Sequence, residues 1–430
     1  MQTALLGLPL PTIAVSAEEH NAMDIGDIRA QIEALRSEQA SVTAQQNRIN
    51  AALSALEARL GAANAESGRA SGEAGASAAG SAPSAVTPLT MKPRLDVSGD
   101  LRVRGQGDYS DRDGEDRNSS QLRGRLGASY AVNDRLSVGA RLVTGDADDP
   151  NSTDAQLSNF DDDLQVSLDL AYVQLNLSDL KLYAGKVPQP FIRTDLVWDG
   201  DVNPQGVSGV FKHSFDGGTI RASSLFFLVD EQVSGPESTM LGAQLGYDSP
   251  ALGSWRYDIS GAYFDYRLGS VAGGDAGDFR TNLRYPDGRY RSDFNLGDVI
   301  VGATWSGFGD RWPVRMVADY VKNFGAATEA DTGYGIELSL GRASKPGDWR
   351  LTYGRAIAET DSVFAAFSHD NLSIATNYKS NALTFDYVPF PKTTLTALWY
   401  HYRRYRAADA GPNDFTDSLD RLRLFFNINF

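Results

Sequence analysis

The hydrophobic pattern changes period once along the chain. From Ile25 to Leu60, apolar residues step by three and four. Ile25, Ile28, Ile32, Leu35, Val42, Ile49, Leu53, Leu56 and Leu60 fall on heptad a and d positions, and Gln39 and Gln46 fill two further a positions. From about Lys92 the period becomes two. "RLDVSGDLRVRGQ", "QLRGRLGASY", "RLSVGARLVTG", "LQVSLDLAYVQL", "GTIRASSLFF", "SWRYDISGAYFDY", "WPVRMVADYV" and "DWRLTYGRA" all alternate apolar with polar residues. Such alternation puts one face of a strand against an apolar medium. At roughly 9 to 13 residues the segments are longer than most soluble strands and suit a tilted strand crossing a bilayer. The last stretch, "RLRLFFNINF", is the clearest. Leu422, Leu424, Phe426, Ile428 and Phe430 form one series and Arg421, Arg423, Asn427 and Asn429 the other, with Phe425 out of place.

The connections point to the architecture. About sixteen strand candidates are joined alternately by short and long gaps, the habit of an outer-membrane barrel with short periplasmic turns and long external loops. "VND", "SD", "DGG", "SPALG", "SGFGD", "ASKPGD" and "PFP" are the short ones; "DADDPNSTDAQLSNFDDD" and "KVPQPFIRTDLVWDGDVNPQ" are among the long. The expected fold is an all-β transmembrane barrel of antiparallel strands over 92–430, preceded by an α-helical coiled coil and a flexible linker. Phe430 then belongs to a strand that closes the barrel, which leaves no edge in lipid.

The heptads hold over about five repeats, longer than a surface helix keeps a strict 3.5 period. Ile at both a and d favours three or more strands, and a buried Gln fixes register at some cost in stability. The expected unit, 22–61, is an oligomerisation helix roughly 50 Å long at 1.5 Å per residue; the other reading is a helix packed on its own domain. Between it and the barrel, 62–91 is Gly, Ala and Ser with few large apolar residues, a flexible tether. At the start, "ALLGLPLPTIAV" followed by Val15, Ser16 and Ala17 reads as a signal peptide over 1–17, although no Lys or Arg precedes it.

Composition narrows the function. The 430 residues carry a net charge of −15 and no cysteine. Nonspecific nucleic-acid binding, disulfides and thiolate metal sites are not expected. Of the four histidines, His20, His213, His369 and His401, none sits in a nucleophile motif, so an enzyme is not expected. No cofactor is expected. The acidic "DRDGED" lacks the spacing and terminal Glu of a calcium loop, so no metal site is expected either.

The coiled coil, linker and strand pattern ending in Phe resemble the trimeric porins of Gram-negative outer membranes. More narrowly, "RLVTGDADDPNS", "DLAYVQL" and "LYAGKVPQPFIRTDLVWDGDVNPQGVSG" resemble the family described as putative porins. The likeness is densest over 165–209. It implies a homotrimer whose channel passes small hydrophilic solutes or ions, set among outer-membrane lipid and lipopolysaccharide, with its coiled coil in the periplasm. The terminal Phe430 resembles the signal read by the barrel-assembly machinery. The alternatives are a channel selective for anionic solutes, or a structural tether gripping peptidoglycan through the coiled coil.

With the apolar series facing lipid, the lumen series repeatedly holds arginine: Arg102, Arg104, Arg123, Arg125 and Arg141, then Arg221, Arg256, Arg315, Arg350, Arg421 and Arg423. These form either a basic wall or polar filler paired with Asp100, Asp169, Asp258 and Asp319. The loop from Lys186 to Gly206 is stiffened by prolines, and Phe191, Leu196, Val197 and Trp198 give it something to bury. In trimeric porins the equivalent loop folds into the lumen; packing on the outer rim is the other possibility. Lys186, Arg193, Asp195, Trp198, Asp199 and Asp201 are therefore expected at the constriction, facing the arginines. That pairing of charges predicts a transverse field, a weak anion preference at the narrow point and low selectivity overall.

Overall fold

The computed structural model describes residues 94–430 except 111–115, 148, 150, 158–162, 270–280 and 410–417. The signal peptide, coiled coil and linker (1–17, 22–61 and 62–91) lie outside the described residues. The strands are β1 (Leu95–Ser110), β2 (Arg117–Ala131), β3 (Leu136–Thr144), β4 (Ala155–Gln156), β5 (Val166–Leu177), β6 (Leu180–Lys186), β7 (Gln205–Phe215), β8 (Gly218–Asp230), β9 (Ser238–Asp248), β10 (Trp255–Leu268), β11 (Phe294–Trp305), β12 (Val314–Asn323), β13 (Thr332–Gly341), β14 (Trp349–Ala358), β15 (Tyr378–Tyr387), β16 (Thr393–Arg404) and β17 (Leu419–Asn429). Apart from β4, a short rung that the β3–β5 loop lays against β2, each strand pairs antiparallel with its sequence neighbours. β1 pairs with β17 from Asp100↔Asn429 to Ser110↔Leu419. The sheet is a closed sixteen-strand antiparallel barrel.

Closure uses the last residue. The Gly99 and Phe430 backbones exchange both hydrogen bonds, at 3.2 and 3.0 Å. The Phe430 ring lies where a Cβ on Gly99 would sit, 2.5 Å from that position. Only glycine at 99 lets the terminal ring lie flat across β1.

The barrel is apolar outside. Leu101, Val103, Leu126, Leu241, Leu245, Val299, Val301, Leu383 and Leu424 all stand exposed on the outer face. Aromatics ring its ends, among them Tyr130, Trp255, Tyr257 and Tyr387 toward the short turns and Tyr109, Tyr263, Tyr320 and Trp399 toward the long loops. This is the band and girdle pattern of a membrane barrel.

One expectation needs correction. Apolar residues do not belong to the lipid face alone. On β8 to β12 the inward series is also apolar near the long-loop end: Leu225, Phe227, Met240, Phe264, Tyr266, Phe294, Leu296 and Val321 are all buried. Inward apolar side chains cannot face a water-filled bore without cost, so something must cover them. The covering elements are two loops.

Candidate permeation pathway

The β6–β7 loop (187–204), the third long loop after β1–β2 and β3–β5, folds into the lumen. It leaves and re-enters the wall through Gly185 and Gly206, which pair with each other. Their φ angles are +119° and +150°. A Cβ would stand 2.3 Å from the Ala171 carbonyl oxygen at the first and 2.1 Å from that of Phe226 at the second. No side chain fits either position. The Val187 N–H donates to the Pro204 carbonyl at 2.8 Å and closes the neck.

Inside, the loop is clamped to β8–β12. Gln244 accepts from the Ile192 N–H and donates to its carbonyl, both at 2.7 Å. The Ser223 hydroxyl donates to the Pro190 carbonyl at 2.8 Å. The Phe191 ring meets Phe264 edge to face at 5.0 Å. The Thr194 hydroxyl donates to Asp319. The filler alternative pairs Asp319 with an arginine; among the described residues its partners are this loop and the neighbouring Asp298.

The second covering element is the β14–β15 loop (359–377), the seventh long loop, which alternation does not mark. It carries a short 3-10 turn, Ala365–Phe367. Phe367 stacks on Trp198 at 5.6 Å and 6°. Val363, Phe364, Leu372 and Ile374 complete a hydrophobic cluster with the third loop and the inward aromatics of β8–β12. Asn282 holds it from the β10–β11 loop: its amide donates to the Thr360 and Val363 carbonyls, both at 2.9 Å, and its oxygen accepts from the Ala365 N–H at 2.8 Å. The signal was available, since such an apolar loop has no reason to stand in water.

This corrects several of the expected constriction residues. Trp198 is 1% exposed and does not line the opening; it is the centre of the packed loops. Asp199 is also buried. Its carboxylate accepts from the Asp201 N–H at 2.8 Å. Burial, and after it the nearby charges of Asp370 and Asp195, push its pKa up to about 9. Asp199 is therefore neutral at pH 7 and adds no charge to the lumen.

The arginines lie together on β1, β2, β3 and β17 as expected, but most are paired. Arg102 and Arg104 share Asp154, each at 2.6 Å. Asp154 comes from the β3–β5 loop rather than the third loop. Burial alone would raise its pKa, but Arg102 and Arg104 outweigh that and hold it below the ordinary value. Both guanidinium groups also sit over the Phe425 ring, at 5.5 and 5.8 Å. Phe425, the one residue that broke the alternation of the last strand, is thus a lumen-side platform for two arginines.

Arg123 and Arg125 bond Asp100 at 2.8 and 2.6 Å, and Arg125 reaches Asp201 of the third loop at 3.2 Å. The Arg141 Nε donates to Asp169 at 2.6 Å; a bulge opposite Arg141 and Leu142 turns that carboxylate inward. Arg421 pairs with Asp108 at 2.5 Å. Arg423 bonds two neutral partners, Gln106 and Asn371, both at 2.7 Å. Asn371 in turn donates to Asp195 at 3.3 Å, which also pairs with Arg193 at 3.1 Å. Lys186 does not face an opening: its Nζ donates to the Asn203 carbonyl at 3.1 Å.

Farther along the wall, Arg221 bonds Asp248, Arg315 bonds Asp258 at 2.7 Å and Arg350 bonds Asp386 at 2.7 Å. The lumen is thus a lattice of arginine–carboxylate pairs with a third and a seventh loop drawn across it. Its net field is smaller than a bare basic wall would give.

Comparison with known proteins bears on the fold and family. Residues 109–275 match the family model described as Putative porin. The resemblance to putative porins therefore holds over that segment. No curated protein sequence matches the chain. Among solved structures, OprB of Pseudomonas putida is similar at 10% identity, covering 78% of this chain and 94% of that one, with a TM-score of 0.52. At that identity the likeness shows the fold alone. OmpT of Vibrio cholerae, described in a trimer form, is 11% identical over 78% of this chain and 99% of its own, with a TM-score of 0.47. An anion-selective porin from Comamonas acidovorans is 12% identical over 78% and 99%, with a TM-score of 0.48.

Proposed function

We propose that the protein is an outer-membrane porin: a water-filled channel for passive diffusion of small hydrophilic solutes and ions. The observation that carries it is a closed barrel, apolar outside, whose charged lumen is narrowed by an inward-folded third loop. The long-loop end faces outward from the cell and the short turns face the periplasm. Arg102, Arg123, Arg125 and Arg141 stand half-buried on the wall, with Asp195 and Asp201 of the third loop beside them, while Arg104, Arg421 and Arg423 are buried among their partners. No side chain breaks a bond in this mechanism. The wall and loops set which charges pass, by position and field.

Because most of these arginines are already paired, low selectivity is expected rather than capture of one anion. Arg102 and Arg104 share the single carboxylate of Asp154, and this surplus cation tilts the balance weakly toward anions. A homotrimer, with the 22–61 heptads as a periplasmic stalk, completes the proposal. The test is single-channel conductance in a planar bilayer, with reversal potentials in a salt gradient. Steady ohmic channels with a small anion preference support the reading. A folded barrel that conducts no ions overturns it.

A further inference from the structure

The lumen wall from β12 to β16 holds an acid that the arginine pairs leave over. A cavity of about 110 Å³ lies there between the third loop and the inward series of the strands. Glu337, Asp195, Asp319, Tyr378, Tyr400 and His369 line it. Glu337 is exposed to the lumen, and among the described residues it makes no hydrogen bond or ion pair. The arginines of the neighbouring strands are taken: Arg315 bonds Asp258 and Arg350 bonds Asp386, both at 2.7 Å. The Arg355 side chain belongs to the outward series and bonds Asn381 at 3.3 Å. Asp195 pairs with Arg193 at 3.1 Å but keeps 48% of its side chain exposed. Asp319 is occupied by the Thr194 hydroxyl.

A second observation points to a ligand. Tyr378 is 0% exposed and its hydroxyl has no hydrogen-bond partner. A buried polar group is normally paired, because leaving it unpaired forfeits its hydration. Beside it, the His369 ring meets Tyr378 and Tyr400 edge to face at 5.8 and 6.0 Å. Burial holds the His369 pKa down at about 4, so at pH 7 the ring is neutral and repels no cation. The cavity therefore offers carboxylates, a free phenol and aromatic rings. A primary ammonium matches all three: it has three donors and no acceptor, and it is attracted to aromatic faces. A bare divalent metal matches less well, since among the described residues no group of three or more His, Cys, Asp or Glu side chains could hold one. The volume is well above the roughly 10–15 Å³ that a single water needs, and it accommodates an ammonium with a few carbons behind it.

We propose that this cavity is a subsite for aliphatic primary amines passing through the channel, with the ammonium held by Glu337, Asp195 and the Tyr378 hydroxyl. This deepens the porin reading above and rests on it. Arg193 offsets the charge of Asp195, so Glu337 supplies the attraction and Asp195 an acceptor. The Tyr378 oxygen accepts a further hydrogen bond, and the alkyl tail lies toward the water of the lumen.

The test uses the full-length protein in a planar bilayer at pH 7. The probe is n-butylamine, with 1-butanol as the neutral control of like size. Butylamine should reduce the mean potassium chloride current of wild type in a saturable way, and butanol should not. Glu337→Gln should raise the half-blocking concentration about fivefold, the effect of one unit charge at 4 Å in water. Tyr378→Phe should raise it about fivefold as well, the net worth of a hydrogen bond. Tyr378→Phe changes no charge, so its reversal potential in a salt gradient should match wild type, and its loss of block cannot come from an altered lumen field. Equal block by butylamine and butanol overturns the site, as does wild-type sensitivity in either variant. A folded barrel that conducts no ions removes the porin reading instead. Calorimetric titration of that same protein in detergent with butylamine, wild type against Glu337→Gln, then decides the site: about fivefold weaker binding by the variant upholds it, and equal or undetectable binding by both overturns it.

Discussion

Asp199 and Asp201 stand two residues apart in one loop, and the structure assigns them opposite electrical roles. Asp201 bonds Arg125 at 3.2 Å and the Thr153 hydroxyl at 3.1 Å. Asp199 lies behind it with a pKa of about 9. At pH 7 a group with that pKa is ionised about one time in a hundred. Asp199→Asn therefore removes almost no charge, whereas Asp201→Asn removes a full one. A unit charge acts on a passing ion with about 1 kcal/mol at 4 Å in water. That is roughly a fivefold effect on the passage of each ion, opposite in sign for cation and anion, before screening over about 8 Å reduces it. Asp201→Asn should shift the reversal potential measurably toward anions, more so in dilute salt. Asp199→Asn should leave it within error at pH 7.

The pH dependence separates the two again. Asp199 has a folded pKa raised above its ordinary 3.8, so the docked loop binds its proton more tightly than the free loop does. Its support for docking is complete below about pH 4 and is lost as pH rises through about 9. Wild-type channels should become noisier and more cation-preferring as pH climbs past 9, and Asp199→Asn channels should not. If Asp199→Asn shifts selectivity at pH 7 as far as Asp201→Asn does, Asp199 is charged and the packing described here is wrong.

Trp198→Ala removes the centre of the loop cluster. A buried aromatic truncation of this kind costs about 3–5 kcal/mol, and the loss falls on loop docking rather than on the strand ladder. Single-channel conductance should rise and flicker while the folded barrel keeps its heat resistance on gels. Deleting Phe430 removes the ring over Gly99 and should lower the amount of heat-modifiable barrel in the outer membrane; undiminished levels count against its role in assembly. A peptide of residues 25–60 should sediment as a trimer, and Gln39→Ile with Gln46→Ile should raise its melting temperature. A monomer at high micromolar concentration ends the stalk proposal.

The strands were legible because one face of each meets lipid and the period of two survives almost intact. The third loop was legible because prolines and buried-type residues stood together in a long gap. Which arginine pairs with which acid was not legible. Arg102 and Asp154 are 52 residues apart, and their meeting depends on where the β3–β5 loop turns, which alternation does not encode. The same holds for the neutral state of Asp199, set by what covers it.

The seventh loop shows where the reading could have gone further. Val363, Phe364, Phe367, Leu372 and Ile374 stand in a segment with no alternation, which by that criterion reads as a plain connection. Yet β8 to β12 carried apolar residues on both faces, as in "SSLFFLV" and "NLGDVIV". A membrane strand needs an apolar series on one face alone. A second apolar series facing a water-filled bore must be matched by an apolar segment from elsewhere in the chain. The third loop supplies Phe191, Leu196, Val197 and Trp198, and the seventh loop shares that covering cluster. Where both faces of a barrel strand are apolar, the sequence is already stating that loops dock inside, and a loop rich in large apolar residues is the partner to look for.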